Sequence, residues 1–220
     1  MDRASDFEQY YFRAAPNPPP LERDDHCAVC NKYPARQCTQ CRNCSYCSTE
    51  CQSVDFASHK LLCKQLITLR PSPTPEHKRA IFFPENEINP RIIWVKCTAD
   101  SMDDVYYEWV DVSPYLGNQK PGKFYAPRNN YHVSLIARDN LLSDGSSNNK
   151  SIIATAGPSM ACPLSFRGPM VAIREVDYDT YCDISLADFR CRSEYLRCYG
   201  IPASAMPTIS RGTQPEPTAE

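Results

Sequence analysis

The chain has 220 residues, with 24 lysines and arginines against 26 aspartates and glutamates, for a formal net charge of −2. That balance excludes a generally basic chain built to coat nucleic acid, and no apolar run approaches the ~18–20 residues of a membrane-spanning helix. The hydrophobic fraction is an ordinary 42%, but 20 prolines stand against 7 glycines and cysteine reaches 13.

Residues 1–25 carry Asp2, Asp6 and Glu8 where a secretory leader would be apolar. The chain is therefore expected to be intracellular, with nucleus and cytoplasm both open. Ser5 and Glu8 have capping-box spacing. They predict either a short helix over 6–13, with Phe7, Tyr10 and Tyr11 on one side, or a fraying end. Pro16-Asn17-Pro18-Pro19-Pro20 reads as a polyproline-like linker.

Eight of the thirteen cysteines then crowd between Cys27 and Cys63. An odd total without a secretory leader argues against a disulfide framework and for metal. Cys27/Cys30 and Cys38/Cys41 are C-x2-C pairs, suited to tight turns. Cys47/Cys51 and His59/Cys63 stand four apart, suited to one face of a helix. Structural zinc takes four N or S ligands, so eight ligands imply two structural zinc ions. Thr49 and Gln52 have capping-box spacing, which starts a helix near Cys51. Asp55 is expected to cap a second helix carrying His59, Leu62 and Cys63. Cys44 lies outside the pairs, as a semi-buried thiol or a competing ligand, and His26 beside Cys27 is a further competitor.

The run from Cys27 to Cys63, with its Tyr46-Cys47-Ser48 step and Cys51-Gln52 pair, resembles a MYND-type zinc finger. The resemblance implies a cross-braced finger in which Cys27, Cys30, Cys47 and Cys51 hold one zinc. Cys38, Cys41, His59 and Cys63 hold the other. A RING finger usually ends in two C-x2-C pairs, and the ends here depart from that. MYND fingers generally bind proline-containing peptides of partner proteins. Gln52 and Phe56 occupy the positions that the resemblance assigns to the groove, Phe56 replacing the more usual tryptophan. The alternative places Phe56 in the core of the small helix.

Four protein ligands per ion leave no open position for catalysis, so the finger is expected to act as a surface. Between Leu21 and Arg70 seven basic side chains face five acidic ones. With seven thiolates and two zinc ions the lobe comes to about −1, which lacks the basic stripe of a nucleic-acid module.

Pro71-Ser72-Pro73-Thr74-Pro75 ends any helix. The expected organisation is an N-terminal segment (1–25), the finger (26–66), a proline-rich linker (67–79), an α+β body (80–200) and a disordered tail (201–220). In the body, period-2 alternation predicts strands over 92–97, 105–112, 131–138, 151–156 and 169–173. Ser185 and Asp188 predict the start of a closing helix that buries Leu186, Phe189, Leu196 and Tyr199, with Gly200 at its end. The acidic run Asp100, Asp103, Asp104, Glu108 and Asp111 lacks a calcium loop's glycine and closing glutamate, and reads as a solvated strand face.

The segments FPENEINPRIIWVKC, DGSSNNKSI, FRGPMVAI and DISLADFR resemble the C-terminal region of small fungal MYND-finger proteins, a family with no activity to carry over. The chain has no SET-type Asn-His-Ser-Cys segment, phosphate loop or nucleophile elbow. A Cys–His pair of His132 with Cys97 or Cys162 keeps an enzyme reading open. The leading expectation is a zinc-binding interaction module or adaptor, in transcriptional regulation or protein turnover. An enzyme in the body and a nucleic-acid binder are the alternatives. Oligomeric state is left open.

Overall fold

The computed structural model describes residues 25–102, 105–127, 132–158, 160–176 and 180–199. The expected N-terminal helix, the tail and Gly200 lie outside these residues.

The finger begins with two short antiparallel strands, β1 (Arg36–Gln37) and β2 (Ser45–Tyr46), with Arg36 opposite Tyr46. It continues into one 19-residue helix, α1 (Thr49–Ile67). The Ser48 side chain caps that helix by accepting the Cys51 N–H at 3.3 Å. The expected break at Asp55 does not occur. Asp55 lies inside α1 and is buried with Ser58, His59, Leu62 and Cys63.

Seven strands of the described residues form one antiparallel sheet. They are β3 (His77–Phe83), β4 (Arg91–Met102), β5 (Val105–Asp111), β6 (Pro121–Pro127), β7 (His132–Arg138), β8 (Met170–Val176) and β9 (Thr180–Cys182). The order is β5-β4-β3-β8-β7-β6, and β9 also pairs with β8. β3 occupies the first half of the β8 edge, Phe83 opposite Met170. β9 occupies the second half, Tyr181 opposite Glu175. β3 starts at His77, within the stretch expected to be linker.

Alternation along the strands sends side chains to two covered faces. Ile81, Phe83, Leu135, Met170 and Ala172 enter one apolar cluster; Ala80, Val95, Ile136, Val171 and Ile173 enter another. Ser134, on the face of β7 opposite Val133 and Leu135, is fully buried. Its hydroxyl donates to Glu175, itself buried, which also pairs with Lys123 at 3.2 Å. The second face is closed by the short helix α2 (Ser113–Leu116), through Val112, Tyr115 and Leu116.

The stretch expected as a strand over 151–156 is a helix, α3 (Lys150–Ala156). Ile152, Ile153 and Thr155 favour strands by propensity. Asn149 overrides them, its side chain accepting the Ile152 N–H at 2.8 Å. Gly157, at φ 80, ends the helix. The buried set Ser151, Ile152, Thr155 and Ala156 is a helical stripe.

The closing helix, α4 (Leu186–Cys198), forms where expected. Ser185 and Asp188 complete a reciprocal capping box. Leu186, Phe189 and Leu196 are buried and Tyr199 is partly buried, its ring 4.9 Å from that of Phe166.

The first apolar cluster crosses from body to finger. Leu62, Cys63, Tyr46, Cys44 and Cys38 belong to the same buried set as Phe83, Phe189 and Leu196. Polar clamps reinforce it. The Gln65 side chain donates to Pro90 O at 2.8 Å and accepts the Ile92 N–H at 2.9 Å, holding α1 against β4. Asn43 accepts the first N–H of α4, from Leu186, at 3.1 Å. Arg197 bridges Ala156 O at 2.9 Å and Ser58 Oγ at 3.3 Å.

Candidate metal centre

The turn after Cys27 presents Cys30; Cys47 stands just before the Ser48 cap, and Cys51 lies in the first turn of α1. The Asn31 N–H returns to Cys27 O at 2.8 Å, closing that turn. All four sulfurs lie within 4.8 Å of one another. Cys30 Sγ is 3.4 Å from Cys47 Sγ and 3.9 Å from Cys51 Sγ, and Cys47 to Cys51 is 3.7 Å. A tetrahedron with Zn–S bonds of ~2.3 Å has edges of about 3.8 Å, whereas a disulfide requires ~2.05 Å. The donor set fits zinc.

The second group gathers Cys38 and Cys41 from the turn between β1 and β2, with His59 and Cys63 one turn apart on α1. Cys38 accepts the Arg42 N–H at 3.0 Å through its carbonyl, which closes that turn. His59 Nε2 faces Cys41 Sγ at 3.9 Å. Cys38, His59 and Cys63 are buried, so this centre lies deeper than the first.

Burial and crowding shift these groups. Burial would raise the Cys27 thiol, but backbone N–H groups at Cys30, Cys47 and Val29 bring it down to about 7. Burial, reinforced by the neighbouring thiols Cys38 and Cys63, pushes Cys41 up to about 12. Cys47 is likewise pushed up to about 12, by burial first and then by Cys30, Cys27 and Cys51. Burial lowers His59, against the opposing pull of Asp55, and favours the neutral ring that ligates metal.

A third cluster, Cys44, Asp55 and His59, also has its donor atoms within 4.8 Å. Its atoms are already engaged. His59 Nδ1 meets Tyr46 Oη at 2.9 Å, and Tyr46 donates to Asp55 Oδ2 at 2.5 Å. Asp55 Oδ1 accepts from Arg190 at 3.2 Å. Cys44 is buried beside the second centre, outside both four-ligand groups, and burial pushes its thiol up to about 12. Sequence reasoning missed Asp55, which looked like a cap, and Arg190, which carries no motif.

Gln52 and Phe56 lie on the outer face of α1. Phe56 is 58% exposed, and the Lys60 ammonium sits 5.9 Å from its ring centre. Phe56 is therefore not core. Within the acidic run, Glu108 accepts the Tyr181 N–H at 2.7 Å and Asp111 accepts the Ser113 N–H at 3.0 Å. Cys97 is buried, which pushes its thiol up to about 12. A nucleophilic cysteine requires the opposite shift.

Residues 27–63 match the family model of the MYND finger. They form a MYND finger with two zinc sites, Cys27/Cys30/Cys47/Cys51 and Cys38/Cys41/His59/Cys63. This module is a non-catalytic, zinc-binding element of protein interaction. The chain is similar to "Ubiquitin carboxyl-terminal hydrolase 19" of Arabidopsis thaliana, 42% identical over 48 residues, 21% of this chain and 7% of the relative. It is also similar to "Tudor domain-containing protein 1" of Mus musculus, 36% identical over 67 residues, 29% of this chain and 6% of the relative. The chain thus spans less than a tenth of the length of these relatives. No solved structure matches. Among the described residues, no helix is long and apolar enough to cross a membrane.

Proposed function

We propose that the finger docks proline-containing peptide segments of partner proteins through the outer face of α1, with Gln52 and Phe56 as contacts. The carrying observation is the exposure of Phe56 on α1, on the flank of the stripe that buries Asp55, His59 and Leu62. An apolar ring held open by a rigid, zinc-anchored helix is an anchor of the kind that peptide interfaces use. Gln52 is exposed four residues away, where its amide can pair with a peptide backbone. A proline-rich segment loses little entropy on binding, because its extended conformation is already set.

In this reading the finger (26–66) and the body (80–200), joined by the proline-rich stretch 67–79, form an adaptor within the cell. Protein turnover and transcriptional regulation are the processes it suits. The likeness to a ubiquitin hydrolase supports the first. The lobe's near-neutral charge supports a peptide over nucleic acid.

The test titrates fluorescent proline-containing peptides against the zinc-loaded full chain. Gln52→Ala with Phe56→Ala is expected to weaken binding at least tenfold, with two zinc ions retained by native mass spectrometry. Unchanged binding, or loss of zinc with the peptide, removes the groove assignment.

A further inference from the structure

A zinc ligand is fixed by what its other ring nitrogen touches. When His59 ligates through Nε2, the neutral ring carries its proton on Nδ1. That N–H donates to Tyr46 Oη at 2.9 Å. The Tyr46 hydroxyl must then send its own proton onward, and it does so to Asp55 Oδ2 at 2.5 Å. The other carboxylate oxygen accepts from the Arg190 guanidinium at 3.2 Å. Arg190 is in turn held by Glu194, one turn along α4. Every hydrogen in this chain points the same way, from histidine to tyrosine to carboxylate, with a cation closing the end.

The chain is also dry. Asp55 is 1% exposed and Arg190 10%. At that burial a carboxylate requires a partner, and the body helix supplies it across 135 residues of sequence.

We infer that Arg190 is a positioning residue of the second zinc centre, acting through Asp55 and Tyr46 to hold the His59 ring in its ligating orientation. The body is then part of that centre's outer shell, and this hydrogen-bond chain ends at His59 without a member from the first, all-cysteine centre. This inference concerns zinc retention and does not rest on the peptide reading.

The experiment follows zinc leaving the loaded full chain under excess chelator, with a chromophoric readout and native mass spectra at intervals. Outer-shell changes typically cost about 10–100-fold in metal affinity. Arg190→Leu and Tyr46→Phe are each expected to speed release of one zinc at least tenfold and leave the other at its wild-type rate. In the double variant the two effects should not multiply, because both cut the same chain. Arg190→Lys, which keeps a cation beside Asp55, should restore most of the wild-type rate. If Arg190→Leu does not fold, Arg190→Gln decides, with an intermediate acceleration expected. In the NMR spectrum the His59 Nδ1–H should exchange with water faster in each accelerated variant. Wild-type release from Arg190→Leu or Arg190→Gln would overturn the inference. So would a lowered melting temperature without faster release, since Arg190 would then only pack. Multiplying effects of Arg190→Leu and Tyr46→Phe would overturn it as well.

Discussion

The two zinc centres have the same number of ligands and differ in how deeply those ligands are buried. The first is held by turns and the start of α1, with Cys27 buried, Cys47 and Cys51 half-buried and Cys30 exposed. The second shares its apolar cluster with the sheet and α4, and three of its four ligands are buried. Ligand spacing is the same kind of signal for both. What separates them is the material packed around them, which comes from another part of the chain.

The largest expected effect breaks that comparison directly. His59→Ala should lose one zinc and lower the melting transition of the whole chain, because Leu62, Cys63 and Tyr46 belong to the body's cluster. Cys30→Ala should also lose one zinc and leave the body's transition in place. Structural zinc in finger peptides contributes an apparent ~10–16 kcal/mol, so either loss is easily seen by calorimetry. Equal behaviour of the two variants would mean that the centres are not distinct in kind.

Acid should separate the centres next. A thiol raised above its usual range holds its proton more tightly, so zinc must displace that proton, and zinc affinity falls as pH falls. Cys41 and Cys47, both near 12, follow this rule. His59 is lowered and stays neutral further into acid, so it offers no proton to displace until lower pH. Below pH 7 the first centre displaces up to four protons and the second up to three. Each displaced proton costs about tenfold in affinity per pH unit. Zinc occupancy by native mass spectrometry should therefore fall more steeply at the first centre; a steeper fall at the second would contradict the assignment.

The smallest effect concerns Cys44. Cys44→Ser should keep both zinc ions, and the buried hydroxyl should cost about 1 kcal/mol in a denaturant melt. A drop to one zinc would make Cys44 a ligand.

The eight ligands were legible because each pair is local, three or four residues apart. The Ser185/Asp188 capping box was legible for the same reason. Most body strands followed from period-2 alternation. The helix at Lys150–Ala156 was misread because Ile152, Ile153 and Thr155 look like a strand, although their neighbours Ser151 and Ala156 complete a helical stripe. Asp55 was misread because a carboxylate before a helical run resembles a cap. Its real partners, Tyr46 and Arg190, come from a strand and from a distant helix. Nothing in the spacing of residues announces a contact of that range.

The bond between Asn43 and the first N–H of α4 spans 143 residues, and that distance is also a delay. A ribosome adds about 5–20 residues per second, so the finger's turns exist for roughly 7–30 s before the helix that locks them has been made. During that interval the Asp55 carboxylate beside the second centre is without the Arg190 guanidinium. Arrival of α4 supplies Asp55 with Arg190 and gives Asn43 the Leu186 N–H, so the finger acquires its partners from the body late in synthesis.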